Sequence, residues 1–264
     1  MFESRYDNAV SMARAGCAKE AIRELELLAN ETCDLDRRLA IIADIARIYE
    51  DMGEYDHALN SLRRSQEISV TESQKLYTEF IMACNRALKG DHALALNQYN
   101  SILQKYARLL NSDDERDLLE DIAFRRAMVL ANMGNYNEAI RLLCEAVSFT
   151  TLSIEQRQTA HLWLGICYDK IDQLDNAKEA YLCAIAIDHK TRSDTQARYN
   201  LARLYAIDGA WAQAKMQLET ILNDCIPDST AMTLASIYER LSITCRQLGD
   251  QEKANYYARL GKKQ

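Results

Sequence analysis

Residues 164–188 read LGICYDKIDQLDNAKEAYLCAIAID, and this stretch predicts two helices joined by a tight turn. Small Gly165 lies seven positions before the turn residue Asp172, Ala177 lies five positions after it, and bulky Tyr181 lies nine after it. Small residues let two helix backbones approach closely, and a bulky side chain from the neighbouring helix fills the groove between them. The stretch therefore predicts a closely packed helical hairpin.

The same spacing recurs along the whole chain. Turn residues follow one another at intervals of 37 to 44 positions: Gly16, Gly53, Gly90, Gly134, Asp172, Gly209 and Gly249. The residue five positions after each turn is alanine: Ala21, Ala58, Ala95, Ala139, Ala177, Ala214 and Ala254. The residue seven positions before each turn is small: Ala9, Ala46, Ala83, Ala127, Gly165, Ala202 and Ser242. Such a period is typical of a repeat array, and it predicts seven helix-turn-helix units, roughly at residues 2–35, 36–70, 71–110, 111–152, 153–191, 192–227 and 228–261.

Composition and capping patterns favour helices throughout. The chain has 264 residues, 48% of them hydrophobic, and only one proline and eight glycines, too few for the turns of an all-β fold. Several predicted first helices follow a Ser or Thr with Glu or Gln three positions later, which is the pattern of a capping box. These pairs are Thr71 with Gln74, Ser112 with Glu115, Ser153 with Gln156, and Ser193 with Gln196. We predict an all-α fold.

These repeats resemble those of the tetratricopeptide repeat family, and the resemblance covers nearly the whole chain. The best matches are residues 164–188, residues 45–62 (IARIYEDMGEYDHALNSL) and residues 201–218 (LARLYAIDGAWAQAKMQL). The resemblance implies a right-handed superhelical solenoid of antiparallel helix pairs, forming a single domain over residues 1–264. Family repeats commonly run about 34 residues, so the longer period here predicts helices about one turn longer.

Motifs for chemistry are missing from the sequence. It has none of the strings typical of dinucleotide, phosphate-loop, metalloprotease or serine-hydrolase sites. The histidines, His57, His92, His161 and His189, are dispersed, and no cysteine pair has the Cys-x-x-Cys spacing of a zinc or redox site. We therefore predict no enzymatic activity, no cofactor and no metal. The eight cysteines are interpreted mostly as small buried hydrophobes, and the acidic residues 112–115 as a helix start rather than a calcium loop.

Charge and hydropathy indicate which classes of partner and which cellular location to expect. A formal net charge of -7 disfavours nucleic-acid binding, which needs a surplus of Lys and Arg. No segment has the continuous apolar run of a membrane span, and the amino terminus lacks the features of a signal peptide. We expect a cytoplasmic protein that does not insert into membranes.

The resemblance also implies which side chains face a concave groove. In the central units these form an apolar stripe: Phe80, Cys84, Phe124, Met128, Leu162, Ile166 and Tyr199, with Trp163 close by. Arginines at neighbouring register positions would rim it: Arg47, Arg125, Arg203 and Arg240. An apolar floor with arginines around it is typical of a peptide-binding groove. The alternative is that these side chains pack between repeats as core.

The expected partner is a protein or peptide segment, amphipathic or apolar. Family members that grip a carboxy-terminal carboxylate use Lys ten positions and Asn six positions before the turn, and neither residue type occupies those places here. The leading hypothesis is a non-catalytic adaptor or scaffold. Two alternatives are a regulatory sensor that responds to a signalling peptide, and a structural component that assembles into a homo-oligomer.

Overall fold

A computed structural model describes the chain over residues 2–112, 115–187, 190–224 and 234–262. The regular elements of these residues are α-helices, with no β-strand, so the predicted all-α fold is confirmed. The helices belong to two compact units, Met1–Met133 and Gly134–Gln264. The single domain stays a prediction.

The first unit contains three helical hairpins, a short connecting helix and one further long helix. Its elements are α1 (Phe2–Arg14), α2 (Ala18–Glu31), α3 (Leu35–Asp51), α4 (Tyr55–Ile68), α5 (Glu72–Lys89), α6 (His92–Lys105), α7 (Ala107–Leu110) and α8 (Arg116–Asn132). Each long helix packs mainly against its neighbours along the chain, as α2 does between α1 and α3.

The second unit begins with one helix and continues with three hairpins. Its elements are α9 (Tyr136–Ala146), α10 (Ile154–Lys170), α11 (Leu174–Ala186), α12 (Arg192–Ile207), α13 (Trp211–Asp224), α14 (Leu234–Gln247) and α15 (Gln251–Gly261). Here too the main contacts join helices that are close in sequence. Among the described residues of each unit, the main contacts do not gather distant helices into one core.

The contact between small and bulky residues, predicted from the repeat register, holds each hairpin together. In the hairpin of α5 and α6, Ala83, Ala95 and Tyr99 are fully buried in one cluster. Equivalent residues lie together in the other hairpins: Ala9, Ala21 and Leu25; Ala46, Ala58 and Leu62; and Ala202, Ala214 and Leu218. In the last hairpin the Ser242 hydroxyl donates to the Ala254 carbonyl over 2.9 Å, which joins the two helices directly.

The tightest of these contacts is between Gly165 on α10 and Tyr181 on α11. Tyr181 is fully buried. A Cβ atom built on Gly165 would lie 2.5 Å from Cδ1 and 2.9 Å from Cζ of that ring, closer than van der Waals contact allows. The glycine is therefore required by the ring, and not by its own backbone conformation.

The turn residues end the first helix of each hairpin in a left-handed conformation. Among the described residues, Asp172 is the one non-glycine with a positive φ, 61°, and it occupies the place held by glycine in the other turns. The amide of Gln173 donates to the carbonyl of Tyr168 over 2.9 Å. The equivalent bond after Gly53 joins Glu54 to Tyr49 over 2.8 Å, so both turns close with the same helix-end motif. The substitution of Asp172 for glycine, inferred from spacing, is thus seen in the backbone.

Two of the four predicted capping boxes are present. Thr71 with Gln74, and Ser153 with Gln156, make both reciprocal hydrogen bonds at the starts of α5 and α10. The other two are corrected, and they involve Ser112 and Ser193. The Ser112 hydroxyl donates to the Leu109 carbonyl over 2.7 Å, and α8 starts after Glu115 without a side-chain cap. At α12 the cap is Thr191, which accepts from the amides of residues 193 and 194.

The interpretation of most cysteines as buried is wrong. Of the described cysteines, Cys84, Cys167 and Cys245 are buried, but four are exposed: Cys17, Cys33, Cys144 and Cys183. Burial raises the pKa of the Cys84 thiol to about 11, although Arg125 opposes the shift, and it also raises the pKa of the Cys167 thiol to about 11. Small size and helical spacing therefore do not distinguish the two faces of these helices. Cys225 and Pro227 lie outside the described residues.

Replacing Gly165 with alanine tests the contact with Tyr181. We expect Gly165→Ala to lower the free energy of unfolding by an amount near the upper end of about 1–3 kcal/mol, the range for an overpacked core. This loss exceeds the gain of about 1 kcal/mol in helix propensity. Urea denaturation measures it. Gly261→Ala is the matched control, because a Cβ at that helical glycine meets nothing closer than 3.5 Å. An equal effect of both substitutions would show that Tyr181 does not exclude the methyl group.

Replacing Asp172 with glycine tests the left-handed turn. A residue with a Cβ in this conformation costs about 1–2 kcal/mol, less for Asp and Asn than for other residues. We therefore expect Asp172→Gly to preserve or raise the thermal unfolding midpoint, and Gly134→Ala, at a turn with φ 83°, to lower it. Differential scanning calorimetry checks both. A clear loss of stability in Asp172→Gly would mean that the aspartate side chain contributes more than the turn conformation costs.

Native alkylation tests the cysteine assignment. Because the thiolate is the reactive form, we expect iodoacetamide near neutral pH to modify Cys17, Cys33, Cys144 and Cys183 at least about tenfold faster than the three buried thiols. Mass spectrometry of tryptic peptides measures each rate. Denatured protein is the control, in which the thiols should react alike. Rapid modification of Cys167 in the folded protein would contradict its burial.

Candidate functional site

A cleft of about 530 Å³ opens on the first unit between α3, α5 and α8. We call it the first-unit cleft. Its apolar lining comes from Ala43, Tyr77, Phe80, Ile81, Cys84 and Leu118. These residues project from the first helices of successive hairpins, so the helix stacking places them side by side.

Charged groups surround that lining. The first-unit cleft has four carboxylates and two guanidinium groups, from Asp44, Glu50, Asp117, Asp121, Arg47 and Arg125. Two of the carboxylates are paired within their own helices: Arg47 with Asp44 over 2.7 Å, and Arg125 with Asp121 over 2.9 Å. The cleft therefore has a formal excess of two negative charges.

Paired groups in the cleft are held in place by further contacts. The Tyr6 hydroxyl on α1 donates to the Asp44 carboxylate. This bond, together with burial, raises the pKa of Tyr6 to about 12, so the hydroxyl keeps its proton at physiological pH. The guanidinium of Arg125 lies over the Phe80 ring, 5.6 Å from its centroid, which is a cation–π contact.

Two carboxylates in the first-unit cleft have no Lys or Arg ion-pair partner in the described part of the chain, although Glu50 shares a hydrogen bond with Asn85. Neither Glu50 nor Asp117 forms an ion pair with any described residue. Glu50 is half-buried, and this burial raises the pKa of its carboxyl group, while the charge of Arg125 partly opposes the shift. A carboxylate with a raised pKa is one whose charge is poorly solvated. The excess negative charge of the cleft is thus concentrated on these two side chains.

An apolar pocket of about 300 Å³ adjoins the first-unit cleft between α3 and α5. Leu39, Ala40, Leu62 and Thr78 line it together with Ala43, Tyr77 and Ile81, and the last three also line the cleft. The Tyr77 side chain forms the wall between the two cavities and is 55% exposed. The Tyr77 side chain is therefore accessible to a partner in solution.

A second cleft, of about 460 Å³, lies on the second unit between α10 and α12. It is more polar than the first-unit cleft. Its lining includes Gln196, Asn200 and Lys170, and the Arg203 guanidinium donates to the Asp169 carboxylate at its edge. We call it the second-unit cleft.

The residues predicted as a groove are divided among several places. Phe80, Cys84, Arg47 and Arg125 line the first-unit cleft, and Ile166 and Arg203 line the second-unit cleft. Phe124 and Leu162 are each only 4% exposed. Met128, Trp163 and Tyr199 are half-buried and line neither cleft.

Burial limits what the apolar stripe can offer to a partner. Phe80 and Cys84 are only 7% and 8% exposed, so they form the base of the first-unit cleft and offer little surface for contact. Tyr199 is covered by Arg240, whose guanidinium lies 4.5 Å from the ring centroid. The assignment of these residues as partner contacts stays a prediction.

Sequence reasoning missed Tyr77, Glu50 and Asp117. Tyr77 lies thirteen positions before its turn residue, the same register position as Asp121, and one helical turn before the stripe. That position could have been found by extending the register towards the start of the longer helices. Glu50 lies three positions before its turn, where four other units have alanine, and Asp117 is an acid in the first turn of its helix, which the helix dipole already explains. The repeat pattern therefore gave no signal for a binding role at either position.

The described histidines and helices were compared with the requirements of a metal site and of a membrane span. In the described part of the chain, no group of three or more His, Cys, Asp or Glu side chains is placed to hold a metal ion. The His57 ring instead stacks on Tyr49 with a centroid distance of 5.2 Å, and burial lowers the pKa of His161. His189, Asp113 and Asp114 lie outside the described residues. None of the described helices is both long and apolar enough to cross a membrane.

Comparison with known proteins agrees with the architecture. The sequence matches the tetratricopeptide repeat family over residues 40–69, 121–150 and 159–190, which correspond to helix pairs in the repeat register. No curated protein matches it. The stacked helix pairs and these matches define a helical repeat protein. The chain is a tetratricopeptide-repeat protein.

Solved structures of low sequence identity share the fold. A tetratricopeptide repeat protein from Parabacteroides merdae has 16% identity and a TM-score of 0.63, with 99% of this chain and 92% of that chain covered. PilF from Pseudomonas aeruginosa has 17% identity and a TM-score of 0.65, covering 84% and 90%. The apo quorum sensor NprR from B. thuringiensis has 12% identity and a TM-score of 0.69, covering 98% and 74%.

Proposed function

We propose that the protein is a non-catalytic adaptor that binds a segment of another protein in the first-unit cleft. The tetratricopeptide fold is in general a scaffold for protein interaction. The observation that supports this cleft as the binding site is the exposed Tyr77 ring between a charged and an apolar cavity. Aromatic residues in such positions commonly contribute most of the energy of protein binding.

Cavity size and lining favour a peptide over a small molecule. The first-unit cleft and the apolar pocket share three residues and together run along α3 and α5. Ligand sites for small molecules are usually enclosed and mostly apolar, whereas this surface is charged and accessible along its length. A short extended or helical segment can contact both cavities at once.

We also propose a cytoplasmic location. All the described cysteines are free, and four of them are exposed. Exposed unpaired thiols persist in reducing compartments, whereas oxidising compartments favour disulfides. The sensor and homo-oligomer alternatives stay predictions.

Partner capture tests the proposed cleft. We expect Tyr77→Arg to reduce recovery of the bound partner at least about tenfold, because it removes an aromatic anchor and places a charge between the cavities. Affinity purification from the native host, quantified by mass spectrometry, measures recovery. Leu94→Arg is the matched control, since Leu94 is 56% exposed on α6 and lies outside both cavities. Equal recovery with both variants, with folding confirmed by circular dichroism, would exclude the cleft as the binding site.

A further inference from the structure

We infer that the segment bound in the first-unit cleft presents a Lys or Arg side chain to Glu50 and Asp117, next to an aliphatic side chain that fills the apolar pocket. This inference rests on the proposed function and specifies the chemistry of the partner. Two independent features of the surface support it: the distribution of unpaired charge, and the position of the apolar pocket.

Charge in the cleft favours a cation. Both arginines in the lining already have carboxylate partners on their own helices, Asp44 and Asp121. The remaining carboxylates, Glu50 on α3 and Asp117 in the first turn of α8, have no ion-pair partner among the described residues. A bound ammonium or guanidinium group would neutralise the formal excess of two negative charges, and a charge-assisted hydrogen bond in a partly desolvated cleft is stronger than a neutral one.

Partial burial strengthens this preference. The Glu50 carboxyl group is half-buried near Cys84 and Arg125, and burial raises its pKa although Arg125 and a hydrogen bond with Asn85 oppose the shift. A cation that approaches it compensates for the lost hydration, and the arginine fork matches a carboxylate better than any other side chain. An acidic segment would instead bring like charges together, which is costly in an interface.

The apolar pocket specifies the neighbouring residue. Leu39, Ala40 and Ile81 give its wall an aliphatic surface, and its volume of about 300 Å³ accepts a Leu, Ile or Met side chain with room to spare. Because Tyr77 separates it from the charged part of the cleft, the aliphatic and the basic side chains must come from nearby positions in the partner. The Tyr77 ring can contact the aliphatic stem of the basic side chain on its way to the carboxylates.

Selection from a phage-displayed library of random short peptides on the full chain provides the test. We expect selected peptides to be enriched in Lys or Arg within a few positions of Leu, Ile or Met. Affinity of a selected peptide is then measured by fluorescence anisotropy on variants. Asp117→Lys should weaken it at least about tenfold, the equivalent of one charged hydrogen bond. Raising the salt concentration should weaken it as well.

A matched control separates local charge from net charge. Asp117 and Glu252 are both exposed acids in the first turn of a helix, α8 and α15. Glu252→Lys changes the net charge by the same amount and should leave affinity unchanged. A second variant, Glu50→Gln, preserves shape and removes a poorly solvated charge, so it should weaken binding without lowering the urea midpoint.

The outcomes distinguish the inference from the proposed function. The inference would be overturned if the selected peptides lose affinity for Tyr77→Arg but contain no basic residue. It would also be overturned if they bind Asp117→Lys and Glu50→Gln as tightly as the unchanged protein. Either result would leave the cleft as the proposed binding site. Failure to select any peptide that depends on Tyr77 would overturn both. Basic peptides that respond equally to Asp117→Lys and Glu252→Lys would show only non-specific attraction, and would also overturn the inference.

Discussion

Close approach of two helix backbones at a small residue is the contact on which this structure depends. Ala or Gly on the first helix meets a fully buried alanine on the second, and a Leu or Tyr one helical turn further along fills the remaining groove. At Gly165 the space is so limited that the Tyr181 ring excludes even a methyl group. Because this contact fixes the rotation of both helices about their axes, it also determines which side chains each hairpin presents to solvent.

The clefts follow from that rotation. Ala46, Ala83 and their neighbours fix which face of α3, α5 and α8 is buried, so the adjacent face of each helix must lie at the surface. In the first unit that exposed face carries Tyr77 and the carboxylates of Glu50 and Asp117. The proposed binding surface is therefore determined by the same register that forms the core, although its chemistry varies freely between repeats.

Sequence alone predicted the architecture well and the surface poorly. The turn at Asp172 and the role of Gly165 could be read from spacing, since steric packing leaves few residue types acceptable at those positions. Capping at Ser193 was predicted wrongly because the helix already begins at Arg192 with Thr191 as its cap, so Ser193 lies inside the first turn. Tyr77 was missed because it lies thirteen positions before its turn, outside the positions six to ten before each turn at which the resemblance places groove residues.

Packing mainly between neighbours along the chain has a consequence for how each unit loses its structure. In a protein whose distant segments share one core, unfolding of any one segment exposes the core residues of the others. Here, each hairpin in a unit is stabilised by its own interior and by the interfaces on either side, so cooperativity is transmitted through a one-dimensional series of interfaces. Each interface in that series can therefore open at its own energetic cost, and unfolding can proceed hairpin by hairpin.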